Sequence, residues 1–265
     1  MISDTRLPRG HKIDMVKTAA IWSVVLCHVA AAPFSGGVVG TTAWYSAVLW
    51  TSLAHACVPL FFMASGALLL KPEKELTFQK LYTQNLPRIL AALFFWAFTL
   101  LNGIPVQWRM NMTYASTGYM LLGHYLSVYH PRPNRSSSVL ILLAGFLLTF
   151  WGTRLMSYMT GRPNDHFLEG MGVFIFLVVW GIWGLCQTVP LSQTGRKLIG
   201  FMSKASFCIY LTHIFFLQAF ARWGLRAIDG PVLLTVPLIS GLIICCCCAV
   251  YMVLSRIPVV RRWLI

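Results

Sequence analysis

Apolar residues gather along this chain into runs long enough to cross a bilayer, which takes about 20 mostly apolar residues in helical form. Eight such runs cover residues 14–34, 44–70, 86–106, 113–130, 139–157, 169–190, 201–222 and 231–255. The first continues past Pro33 without a small-residue cleavage site, so it reads as a retained helix and not as a secretory signal. The polar stretches between runs, of which 71–85 and 158–168 are the longest, are too short for a folded soluble domain. The pattern predicts an all-α integral membrane fold of about eight transmembrane helices, with residues 1–265 forming a single multi-pass membrane domain.

Charge then orients these spans. Of the 21 Lys and Arg, only Arg109, Arg154, Arg162, Arg222 and Arg226 fall on one side, and the rest fall on the side that holds both termini. Basic residues collect in the cytoplasm, so both termini are expected there. Composition agrees, with 57% hydrophobic and 11% charged residues against about 45–50% and 25% in soluble domains. A net charge of +14 would suggest nucleic acid in a soluble protein. Here the inward cations are scattered over five segments with no compact basic domain, so no nucleic-acid partner is expected, and the expected surroundings are the lipid bilayer. All eight cysteines lie in apolar stretches, where they read as small packing residues and not as a disulfide framework or a metal site.

Polar residues inside spans are costly and point to function. Lys17 and His28 stand eleven residues apart in the first span, close to a whole number of helical turns, so they share one stripe about 16 Å apart along the axis. Lys17 sits at the cytoplasmic entrance and His28 in the outer half. The plain alternative is a snorkelling lysine and a packed histidine. In the second span His55 precedes Val58-Pro59, and Pro59 frees the backbone carbonyl one turn earlier. Running the opposite way, this span brings His55 to a depth similar to that of His28. The seventh span carries Ser203, Ser206, Tyr210 and His213, the last three spaced to share a face, for a site or for interhelical hydrogen bonds. His124 in the fourth span stands alone and reads as structural. Three spans thus offer histidines at mid to outer depth above a cationic mouth, and imidazole suits general-base work near neutral pH.

These residues resemble the acyltransferase-3 family of integral membrane O-acyltransferases. The matching pieces are Ile13-Asp14 through Lys17 to His28, the stretch from Val58 to Gly66, Gly118-Tyr119-Met120-Leu121-Leu122-Gly123, and Ser203 to His213. The resemblance implies transfer of an acyl group, commonly acetyl, from acetyl-CoA to a hydroxyl of a cell-envelope glycan or lipid-linked sugar. The reaction would take place at the periplasmic side of the bacterial inner membrane. Acyl-CoA is then a donor substrate, and no bound cofactor or metal is implied. His28 would be the catalytic base, Lys17 and Arg88 would hold the CoA phosphates, and His55, Tyr210 and His213 would line the substrate cavity.

The chain departs from the family pattern in three places. Lys17 stands where the family has arginine, which keeps the charge but loses the planar fork. An Arg-x-x-Arg pair is represented by Asn85 and Arg88. Two of the usual ten spans are missing between Pro105 and Gly118, and losing two together preserves the topology. The same residues fit two other readings: a non-enzymatic carrier of a small anion or lipid-linked sugar that uses its histidines as proton relays, and a shortened inactive relative.

Overall fold

The computed structural model describes residues 10–70, 111–129, 133–169 and 172–257, the side chains of 111–115 excepted. Among them it contains the helices α1 (Gly10–Ser35), α2 (Thr42–Ala54), α3 (Cys57–Leu69), α4 (Asn111–Tyr129), α5 (Arg135–Thr160), α6 (Val173–Thr188), α7 (Gln193–Arg222) and α8 (Val232–Leu254). Two short 3₁₀ turns, His166–Leu168 and Ala227–Asp229, lead into α6 and α8. Caps mark several ends: Thr41, Asn134 and Ser192 accept the first free N–H groups of α2, α5 and α7, and Gly161 closes α5 in the left-handed conformation. The protein is an all-α integral membrane protein.

Among the described residues, six segments are long and apolar enough to cross a membrane: Gly10–Ser35, Thr42–Leu69, Arg135–Thr160, His166–Thr188, Gln193–Arg222 and Val232–Leu254. They coincide with six of the eight expected spans. The expected span 86–106 lies outside the described residues. The expected span 113–130 is helical as α4, but its tyrosines, serines, threonines and His124 leave it too polar to join the other six.

The second span is broken. Helices α2 and α3 belong to one apolar segment interrupted at His55 and Ala56. Pro59 accounts for the break, since it has no N–H to donate to the carbonyl of His55 and its ring crowds that carbonyl. Broken helices persist at membrane depth where protein neighbours cover the freed backbone.

Helix α1 is the hub of the bundle and packs against α2, α3, α6, α7 and α8. Its buried residues serve two cores. Val16 and Ala20 join Leu60, Met63, Ala64, Tyr119, Ile175 and Val178 from α3, α4 and α6. Ile21, Val25, Val29 and Phe34 join Trp44 and Val48 of α2, Ile209 of α7 and Ile243 of α8. A helix buried on more than one side lacks a single apolar stripe, which is why α1 reads as nearly uniform apolar sequence.

Helix α4 is held by α3 through a reciprocal pair of glycines. A Cβ on Gly66 would overlap the backbone of Met120, and one on Gly123 would overlap the backbone of Met63. Helices α5 and α6 meet in the same way, at Gly145 against Val178 and at Gly181 against Leu142. Small residues that let backbones touch are the usual means of helix association in lipid. Three buried hydroxyls are satisfied locally, as Thr51, Thr149 and Ser240 donate to carbonyls four residues back.

Candidate active site

Helices α1 and α7 run parallel and touch at two levels. At the first level Lys17 Nζ donates to the Ser203 carbonyl at 3.0 Å, and Ser203 Oγ donates to Asp14 Oδ1 at 2.5 Å. Ser206 Oγ donates to that same Ser203 carbonyl at 2.7 Å, and nearby Thr18 Oγ1 donates to the Ile199 carbonyl. At the second level the rings of His28 and His213 lie 5.1 Å apart between centroids and are tilted by 47°. Eleven residues separate Lys17 from His28 and ten separate Ser203 from His213. These are nearly equal rises along two parallel helices, about 15–16 Å each. The polar clamp at one level therefore sets the register that brings the two imidazoles together at the other.

The histidine pair borders a small, half-open cleft lined by Val25, His28, Val29, His213, Leu217 and Ile243. Its walls come from α1, α7 and α8 and are apolar apart from the two rings. His28 is exposed at the edge of this cleft, whereas His213 is buried with 4% exposure. His213 Nδ1 lies 2.7 Å from the carbonyl of Tyr210 and 3.1 Å from that of Ile209. Carbonyls only accept, so Nδ1 carries the proton and Nε2 is left as a bare acceptor. Among the described residues Nε2 has no hydrogen-bond partner.

Tyr210 stands at the rim, 52% exposed. Its ring lies 5.9 Å from that of His213 and 6.3 Å from Phe61 of α3 in an edge-on contact. Ser206 and His213 turn into the bundle while Tyr210 turns to its edge, so the face shared by the three is broad.

His55 reaches the same level by another route, because Cys27, the neighbour of His28, has its Sγ 3.8 Å from His55 Nε2. His55 Nδ1 donates to the Thr51 carbonyl at 2.8 Å. Both nitrogens of His55 are thus engaged, and its ring is not part of the cavity wall. His124 sits on α4, away from the cavity. Arg88 lies outside the described residues.

The four stretches singled out in the sequence therefore meet in pairs. The first and last meet at Lys17–Ser203 and His28–His213. The second and third meet at Gly66–Met120 and Met63–Gly123. Phe61 against Tyr210 and His55 against Cys27 link the pairs. Sequence reading missed the Asp14–Ser203 bond and the Cys27–His55 contact. The nearly equal spacings of the first and last stretches were the available signal for the former, and nothing in the local pattern pointed to the latter.

The profile of the acyltransferase-3 family, described as an acyltransferase domain, matches residues 11–106 and 98–252. The two matched segments meet at residues 98–106, beside the place where two family spans were expected to be missing. Comparisons with curated proteins and with solved structures return no match. A match across most of the chain, together with membrane-spanning helices that bring the family stretches into contact, makes this protein a member of the acyltransferase-3 family of membrane acyltransferases.

Proposed function

We propose that the protein is an O-acetyltransferase of the bacterial inner membrane. It moves an acetyl or similar short acyl group from cytoplasmic acyl-CoA to a hydroxyl of a cell-envelope glycan or lipid-linked saccharide at the periplasmic side. Within the family its motifs resemble those of the inner-membrane O-acetyltransferase that modifies enterobacterial common antigen. The observation that carries the reading is the placement of His28, exposed in a small apolar cleft about three helical turns along α1 from the cation of Lys17. A cation at one end suits the phosphates of the nucleotide. The flexible pantetheine arm then runs along the helix and delivers its thioester to the imidazole.

In the proposed reaction His28 takes the proton of the acceptor hydroxyl as its oxygen attacks the thioester carbonyl. The new C–O bond forms and the C–S bond breaks. The proton on His28 then passes to the departing thiolate, so that ester and free CoA leave and the histidine returns neutral. Lys17 and Arg88 hold the donor, while Tyr210 and His213 line the acceptor side.

The test is transfer of labelled acetyl from acetyl-CoA to envelope glycans by membranes that contain the protein. His28→Ala is expected to lower the rate by about 10²–10⁴-fold, the usual worth of a general base, with unchanged insertion. Full activity of that variant would remove His28 as the base. A second reading, a shortened inactive relative, is favoured by the two-segment family match. Absence of transfer by the correctly inserted protein, across a range of acceptor glycans, would select it.

A further inference from the structure

Two histidines share the cleft, and their surroundings differ. His28 has a ring exposed to whatever enters. His213 is buried, tied through Nδ1 to two carbonyls of its own helix, and keeps an unpartnered Nε2. A buried polar atom without a partner costs on the order of 1–3 kcal/mol, so a persistent bare nitrogen beside a second imidazole calls for a chemical explanation. The rings of the two histidines lie 5.1 Å apart between centroids, near enough for a turn of the exposed His28 ring to bring one of its nitrogens to Nε2.

We infer that His213 is the positioning residue for His28: its bare Nε2 accepts the N–H of one His28 nitrogen, which leaves the other His28 nitrogen unprotonated and directed at the acceptor hydroxyl. The inference rests on the acyl-transfer reading above. It supplies what that reading lacks, a reason for His28 to be in the right tautomer, since the proton position on an imidazole is set by the bond its other nitrogen makes. When His28 takes the hydroxyl proton it becomes an imidazolium, and its N–H toward His213 becomes a charge-assisted donor, which is a stronger bond. His213 therefore gains its largest interaction energy as charge develops on His28 and before the proton leaves with the thiolate. No proton needs to reside on His213 Nε2, and the balance of the transfer is unchanged.

Other groups within reach do not serve. Both nitrogens of His55 are occupied by Thr51 and Cys27. The remaining cavity walls from α1, α7 and α8 are Val25, Val29, Leu217 and Ile243, which offer no side-chain acceptor.

Two substitutions separate this role from a structural one. Glutamine places an amide oxygen near the position of Nε2, whereas asparagine places its amide near the position of Nδ1. A positioning role predicts that His213→Gln keeps most of kcat. His213→Asn should lose about 10–100-fold in kcat, the scale seen when the partner that orients a metal-bound histidine is removed, with little change in the KM for acetyl-CoA. A purely structural role predicts the reverse order, because asparagine preserves the bonds to Tyr210 and Ile209.

The experiment is labelled-acetyl transfer by the full-length protein with both variants. The melting temperature of each in detergent is recorded so that rates are compared between folded proteins. Gln above Asn in kcat supports the inference. Equal activity of the two, or Asn above Gln, overturns it while leaving the transferase reading intact if His28→Ala is still inactive. No transfer by the unsubstituted protein sinks the transferase reading and this inference with it.

Discussion

Lys17 is held to α7 by a bond to the Ser203 carbonyl, so the cation of the first motif has a structural duty beside its proposed contact with the donor. An ammonium has three donors, and this bond uses one of them. Lys17→Met is expected to destabilise the protein by about 1.5–3 kcal/mol, the range for a hydrogen bond to a charged group, and to raise the KM for acetyl-CoA. Thermal melting in detergent and donor titration measure the two effects separately. An unchanged donor KM would confine Lys17 to the clamp. The placement of Lys17 and His28 on one stripe was legible in the sequence, because helical periodicity fixes relative angle within one segment. Their partners were not legible. Ser203 and His213 lie 186 and 185 positions further along the chain, and the choice of neighbouring helix depends on how all the helices pack, which no local period encodes. The Cys27–His55 contact was hidden for the same reason.

At the scale of the helix, the break in the second span followed from Pro59 and was readable, as were the six apolar segments. Helix α4 was harder. Its length and its Met-Leu-Leu centre suggest a span, but its polarity is offset by contact with α3, and that contact rests on two glycines whose pairing only the structure reveals. A side chain at either position must push backbone away from backbone. Gly66→Leu or Gly123→Leu is therefore expected to cost about 1–3 kcal/mol as an overpacked interface and to separate α4 from α3. Melting temperature and cross-linking between cysteines introduced on the two helices would record this. Gly118, on the same helix, has open space where a Cβ would stand. Gly118→Ala serves as the control and should leave melting unchanged.

For the molecule as a whole, the bias of basic residues predicts that both termini face the cytoplasm. Reporter fusions at each end should give the cytoplasmic signal, and fusions within residues 36–41, between α1 and α2, the opposite one. A terminus reading outside would invert the route proposed for the donor. The parallel run of α1 and α7 means that these two helices cross in the same direction. Site assembly is also a matter of the whole chain, because the cleft needs α1, α7 and α8 together while α5 and α6 fasten mainly to each other.

The long separation between Lys17 and Ser203 also has a consequence in time. At about 5–20 residues per second of synthesis, α1 enters the membrane some tens of seconds before the helix that carries its partners. Throughout that interval Asp14 and Lys17 lack their α7 contacts, so the nascent first helix is held only by its earlier neighbours and by the lipid interface. The bond that sets the register of the site is thus among the last to form, and a chain interrupted before α7 never acquires it.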